Sequence, residues 1–182
     1  RVLKYAQKHG TRVLFASSGA VYPTYKDRTE YATNKRRWEQ ECLDSGVDVV
    51  IARLFTFVGA HLKNLYALTN FIERARNGQP IEVWGDGSTV RSYLYGEDLG
   101  RWMWKLLLDG EGIYDVGSAI PHTLLEVAQI VAEIIPAEVQ VLNDPRYPAT
   151  YYMPDTTRAR ELGCRETVGL KEAIERTIHD KG

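Results

Sequence analysis

The chain has 182 residues, 44% hydrophobic and 26% charged, an ordinary globular composition with enough length for one real core or one and a half small ones. Its formal net charge of −1 provides no global field for nucleic acid or an anionic membrane, and no apolar run approaches the ~20 residues of a membrane span. Cys42 and Cys164 lie in no metal-like spacing and no secretory leader is visible, so both thiols are expected to be reduced in a cytoplasmic protein.

Val2, Leu3, Tyr5 and Ala6 carry helical periodicity from the start, and Gly10 is placed to end that helix. A helix that begins without a cap at residue 1, in a chain without an initiator methionine, suggests a fragment. Residues 11–17 are a short apolar run of the buried parallel-strand type. They lead into Ser18-Gly-Ala-Val-Tyr22-Pro23, a loop at a strand's C-terminal end, where open α/β sheets place their sites. Residues 31–45 read as a helix carrying Tyr31, Lys35, Trp38, Cys42 and Leu43, stopped by Gly46, and residues 47–54 as a second buried strand. Strand, helix, strand is a βαβ unit and implies a parallel sheet.

The character changes after Gly59. Residues 64–77 read as a helix with Leu65, Leu68, Phe71, Ile72 and Ala75 as its apolar stripe. Strands at 80–84 and 90–95 flank Gly85-Asp-Gly-Ser88, whose glycines supply positive φ at a turn. A helix over about 97–108 turns Trp102, Met103, Leu106 and Leu107 inward, and residues 112–116 form a short strand. Thr123-Leu-Leu-Glu126 is a capping-box pattern opening a helix through Ile135. A strand at 138–142, a short helix capped by Asp155 and ending at Gly163, and an amphipathic helix over 170–178 complete the chain. Trp104 as well as Trp102 is expected in the core, and neither His61 nor His122 has a partner in metal-like spacing.

Tyr31 and Lys35, four apart on a helix, share a face with their Cβ atoms roughly 5–6 Å apart. A phenol titrates near ~10 and is a poor base at neutral pH, and a nearby ammonium favours the phenolate. A serine hydroxyl from the preceding strand can bond the same substrate oxygen. Together the three would move a proton on and off a carbinol while a hydride leaves or returns; the bland alternative is a tyrosine and a lysine on a solvated face. Arg91, inside an apolar and aromatic strand, must snorkel or meet an anion, either a ligand or the carboxylates of Asp98 or Glu97. Arg53 closes a strand, and its expected role is structural.

Ser17-Ser-Gly-Ala-Val-Tyr22, Tyr31-x-x-x-Lys35, Arg53-Leu-Phe-Thr-Phe-Val-Gly59, the run from Trp84 to Leu99 and Asp155-x-x-Arg-Ala-Arg-Glu-Leu-Gly163 come in the order seen in extended short-chain dehydrogenases/reductases. Over essentially its whole length the chain resembles the NAD-dependent epimerase/dehydratase family, which acts on nucleotide sugars. The resemblance implies an α/β fold. Residues 1–59 would be the C-terminal part of a Rossmann domain, a doubly wound parallel sheet. Residues 60–182 would be mostly a small α/β substrate-binding lobe, with some segments returning to the sheet. It implies Ser18, Tyr31 and Lys35 as the catalytic set, with Tyr31 as general acid/base and Lys35 on the cofactor's ribose. Phe55 joins Tyr31 and Lys35 as a cofactor contact, while Thr56, Arg91 and Arg146 join Ser18 on the substrate, the arginines toward its diphosphate. The cofactor would be NAD, with NADP as the alternative; no metal, nucleic acid or membrane is called for. A homodimer through a four-helix bundle would use Trp38 and Cys42.

The departures from the family pattern narrow this reading. The G-x-x-G-x-x-G turn for the pyrophosphate, and the residue that tells NAD from NADP, do not occur in the chain, so the resemblance implies that the first half of the Rossmann sheet precedes Arg1. Two parallel strands taken from a larger sheet would leave an open apolar edge. Ser18 and Tyr31 stand closer in sequence than is usual. Gly19 and Ala20 occupy positions where 4,6-dehydratases carry an Asp-Glu pair, and without carboxylates an elimination lacks its acid and base. Thr56 replaces a frequent asparagine, and Ala149 a frequent ribose-binding aspartate. The expected activity is that of an epimerase or 4-ketoreductase. The alternatives are a 4,6-dehydratase, or a non-catalytic sugar-nucleotide-binding protein.

Overall fold

A computed structural model describes residues 1–23, 29–60 and 66–179. In chain order its elements are α1 (Val2–His9), β1 (Val13–Ser18), a 3-10 turn (Gly19–Val21), α2 (Glu30–Leu43), β2 (Val49–Leu54), β3 (Phe57–Val58), α3 (Ala67–Arg76), β4 (Ile81–Val83), β5 (Val90–Arg91) and β6 (Leu94–Tyr95). These are followed by α4 (Gly96–Asp109), β7 (Ile113–Val116), β8 (His122–Thr123), α5 (Leu124–Ile134), β9 (Val139–Val141), β10 (Tyr151–Tyr152), α6 (Thr157–Glu161) and α7 (Leu170–His179). They fall into two compact units. One comprises Arg1–Phe55, Glu97–Ser118 and Pro154–Arg165, the other Thr56–Gly96, Ala119–Met153 and Glu166–Gly182.

The first unit is built on a three-stranded parallel sheet in the order β1-β2-β7. Val50, Ile51 and Ala52 of the central strand are fully buried, as a run of consecutive apolar residues in a parallel sheet requires. β1 departs from the buried-strand expectation: Val13, Leu14 and Phe15 are only half-buried and Ala16 is exposed, because β1 is the edge of the sheet. Gly10 ends α1 in the left-handed conformation, φ 61°, and its amide bonds back to Ala6. On α2, Ala32, Glu39 and Cys42 form the buried stripe. Cys42 is therefore inside its own unit and cannot be an interface residue, whereas Trp38 is 44% exposed. Trp102 is buried in α4 and its indole N–H donates to the Arg165 carbonyl at 3.0 Å. Trp104 corrects the core expectation. Two positions along a helix turns a side chain well away from its neighbour's face, and Trp104 is 65% exposed. Cys42 and Cys164 are both free and buried.

The second unit surrounds its core with very short strands. β4 pairs with β9 and β3 with β6, both parallel, while β5 lies between β10 (parallel) and β8 (antiparallel). The 90–95 run is accordingly two strands with different partners, broken at Ser92 and Tyr93, and neither pairs with β4 across the turn. That turn does hold Gly85 and Gly87 at φ 73° and 80°. A Cβ on Gly85 would run into the Tyr147 carbonyl, so only glycine fits. Leu68, Phe71 and Ile72 of α3 pack with Val127 and Val131 of α5 and Ile174 of α7. Leu65, like His61, lies outside the described residues. Thr123 and Glu126 form the expected capping box at α5. No described helix is long and apolar enough to cross a membrane.

Candidate active site

β1 delivers Ser18 to its C-terminal end, where the chain leaves the sheet in a 3-10 turn. Ser18 caps that turn, its Oγ accepting the Ala20 amide at 3.2 Å, and is itself buried. α2 begins at a Thr29 cap whose Oγ1 accepts the Ala32 amide at 3.2 Å. Helical spacing then places Tyr31, Lys35 and Trp38 in one stripe, offset from the buried stripe of Ala32, Glu39 and Cys42. Lys35 joins the two elements. Its ammonium donates to the Ala16 carbonyl at 2.6 Å, two residues before Ser18. It also stands over the rings of Phe15, Tyr31 and Trp38, at 5.2, 5.7 and 5.8 Å from their centroids. Tyr31 is 54% exposed. Lys35 thus links the helix stripe of Tyr31 to the strand that ends at Ser18.

Beneath this corner runs a polar network. The sheet register aligns Ser17, Arg53 and Asp115 in one row across β1, β2 and β7. Ser17 donates to Glu39 Oε1 at 2.5 Å, and Arg53 donates from Nε to Oε1 at 3.0 Å and from Nη2 to Oε2 at 2.7 Å. The Arg53 guanidinium lies over the Tyr22 ring at 4.5 Å, and the Tyr22 hydroxyl donates to Asp115 Oδ1 at 2.9 Å. The Asp155 amide donates to Asp115 Oδ2 at 3.0 Å. Burial pushes the Asp115 carboxyl above the usual carboxylate range, against the opposing pull of that amide, Tyr22 and Arg53. Burial likewise raises the Tyr22 phenol, while Glu39 holds Arg53 more firmly protonated. The structural role expected for Arg53 is what this pairing shows.

Sequence reasoning missed Glu39, Tyr22 and Asp115 as members of this network. Two signals were available: Glu39 stands four residues after Lys35, one helical turn on, and Asp115 is a carboxylate inside an apolar strand.

The other sequence-derived site residues take up positions of their own. Phe55 is buried at the end of β2, its ring 6.5 Å from that of Tyr22, and its amide bonds to Val116. In the second unit the Thr56 carbonyl accepts the Leu94 amide at 3.2 Å. Arg91 donates to the Thr150 side chain at 2.8 Å and stands 5.6 Å over the Tyr152 ring. Asp98 and Glu97, considered as partners for Arg91, are held by Arg101. Arg146 is exposed and forks onto Asp144, with Nη2 to Oδ2 at 2.6 Å.

The sequence model for the NAD dependent epimerase/dehydratase family matches residues 1–117. UDP-glucuronic acid decarboxylase 1 of Danio rerio is 29% identical over 203 aligned residues, covering 97% of this chain and 49% of that protein. Among solved structures, the UDP-glucose 4-epimerase of Thermus thermophilus in complex with NAD superposes with a TM-score of 0.80 at 26% identity, over 97% of this chain and 66% of that one. A dTDP-glucose 4,6-dehydratase of Bacillus anthracis with NAD shares the fold, with a TM-score of 0.83 at 15% identity and coverages of 97% and 64%. The chain spans about half the length of the curated relatives it matches. With five motifs in family order and Lys35 linking the Tyr31 stripe to the Ser18 strand, the chain belongs to the NAD dependent epimerase/dehydratase family and has the α/β Rossmann architecture of its solved members.

Proposed function

We propose that the protein containing this chain moves a hydride at a carbon of a nucleotide sugar, either oxidising the carbinol and later reducing it as an epimerase or reducing a ketone once as a 4-ketoreductase, with Tyr31 as the proton carrier. The observation that carries the reading is Lys35, which bonds the end of the Ser18 strand and stands beside the Tyr31 ring on one helix stripe. A bound nicotinamide dinucleotide supplies the hydride acceptor and donor. Lys35 offers N–H donors to ribose hydroxyls, and Phe55, buried just after β2, is assigned beside it as a cofactor contact. Tyr31 takes the proton of a sugar hydroxyl as the carbinol is oxidised and returns it on reduction, while Ser18 hydrogen-bonds the same oxygen. Thr56, Arg91 and Arg146 are assigned to the substrate, the two guanidinia to its diphosphate; Arg146 would trade its Asp144 pairing for that contact. The family's cofactor supports NAD, with NADP as the alternative, and the exposed Trp38 supports a homodimer contact on α2.

Gly19 and Ala20 offer no carboxylate after Ser18, which favours an epimerase or 4-ketoreductase over a dehydratase. A second reading, decarboxylation of a uronic acid once its neighbouring carbon is a ketone, is favoured by the decarboxylases among the relatives. The test uses the full-length protein with NAD and either UDP-glucose or UDP-glucuronate, the product being read by NMR. Inversion at a carbinol supports the first reading, release of carbon dioxide the second, and loss of water a dehydratase. Tyr31→Phe should cut turnover by roughly 10²–10⁴-fold. Wild-type turnover in that variant removes Tyr31 from the chemistry. A protein that binds sugar nucleotide but turns over neither probe, and does not oxidise NADH or NADPH with a 4-keto sugar nucleotide, is a binding protein instead.

A further inference from the structure

β1 ends in two serines, and successive side chains of a strand leave on opposite faces, so the pair cannot serve one ligand together. Ser18 is assigned above to the substrate oxygen. Ser17, 2% exposed, donates its hydroxyl to Glu39 Oε1 at 2.5 Å. Glu39 is buried on α2 one turn beyond Lys35, and the Arg53 fork on the adjacent strand supplies the opposite charge that a buried carboxylate needs. α2 grips the chain on both sides of Ser18. Lys35 holds the Ala16 carbonyl at 2.6 Å, Glu39 takes the Ser17 hydroxyl, and Arg36 Nη1 reaches the Val21 carbonyl at 3.3 Å.

We propose that Ser17 and Glu39 are positioning residues: their hydrogen bond sets the register of the β1 end against α2, and so the spacing of Ser18 from Tyr31 and Lys35. The consequence for turnover rests on the oxidoreductase reading, whereas the clamp itself is a property of the chain. Two reacting groups misplaced by a fraction of a bond length lose rate steeply without losing substrate affinity, so a positioning defect falls on kcat.

Ser17→Ala is the informative variant because it leaves the Arg53–Glu39 pair whole. It is made in the full-length protein and assayed with NAD and whichever of UDP-glucose and UDP-glucuronate the wild type turns over. kcat should fall about tenfold to a hundredfold, with KM moved by less than about threefold. Ser17→Thr, which keeps the hydroxyl, should restore most of kcat. Hydrogen exchange over residues 18–21, read by mass spectrometry, should quicken about tenfold in Ser17→Ala and return toward wild type in Ser17→Thr. An unchanged exchange rate in Ser17→Ala overturns the clamp, as does an unchanged kcat beside an active wild type. A wild type inactive on both sugars with NAD, and on a 4-keto sugar nucleotide with NADH or NADPH, whose exchange still responds to Ser17→Ala leaves the clamp standing and removes the oxidoreductase reading.

Discussion

Asp115 is a carboxyl at the C-terminal end of a buried strand, held by one phenol and one amide, and its environment makes a pH prediction. Burial raises its folded-state pKa above the unfolded value of ~3.9. The folded chain thus binds this proton more tightly than the unfolded chain does, so protonation favours folding. The contribution is fully present below the unfolded value and is lost as pH rises through the folded one. Once the carboxyl is ionised, the native state carries the cost of a buried carboxylate. Asp115→Asn should therefore flatten part of the stability profile above about pH 4, the wild type losing more than the variant as pH rises. Tyr22→Phe removes a donor that favours the charged form, so it should push the carboxyl further up. At neutral pH it should cost about 1–3 kcal/mol, since a buried acceptor loses its partner. Urea unfolding of the three proteins across that pH range checks both statements; parallel profiles for wild type and Asp115→Asn would show that the carboxyl is not coupled to folding.

Helices α2 and α5 show what a single element can be asked to do. α5 is a structural helix, apolar along Val127, Ala128 and Val131, and its start is fixed by a reciprocal cap: Glu126 N–H to Thr123 Oγ1 at 3.1 Å and Thr123 N–H to Glu126 Oε2 at 2.7 Å. Thr123→Ala removes half of that cap and should lower stability by ~1 kcal/mol, read as a shift in the urea midpoint with unchanged slope. Thr123→Ser should recover most of it. Such signals are local, which is why α5, α1 and the Gly85–Gly87 turn were legible in the sequence almost to the residue. The strands β3, β5, β6, β8 and β10 were legible poorly or not at all. Each is two residues long and exists because a distant segment supplies its partner, as Tyr151 does for Val90. Periodicity needs a longer run than that. α2 presents the harder case. Its Tyr31 and Lys35 stripe could be read from spacing, but the neighbouring stripe with Glu39 means something only once the fold brings Ser17 and Arg53 to it.

At the scale of the whole chain, a formal net charge of −1 gives copies little electrostatic reason to stay apart. The sheet order β1-β2-β7 leaves β1 at one edge, with Val13, Leu14 and Phe15 half-buried. An edge strand presents a row of backbone donors and acceptors as a template for another strand, and a lysine there discourages pairing. The exposed Trp38 on α2 offers a different, helical route to association. The two routes make opposite forecasts for a pair of variants of the 182-residue chain expressed by itself. If copies join through the β1 edge, the weight-average mass in sedimentation equilibrium should rise with concentration in the wild type and in Trp38→Ala. It should stay near the monomer value in Val13→Lys. If they join through α2, Trp38→Ala should be the variant that stays monomeric, and a single dimer mass rather than a growing series should appear in Val13→Lys. The edge route is the expected one for this chain expressed by itself, because β1 offers a row of backbone donors and acceptors beside half-buried apolar side chains. A wild type that remains monomeric across the concentration range would show that β1's half-buried apolar residues are shielded well enough to deny the edge a partner.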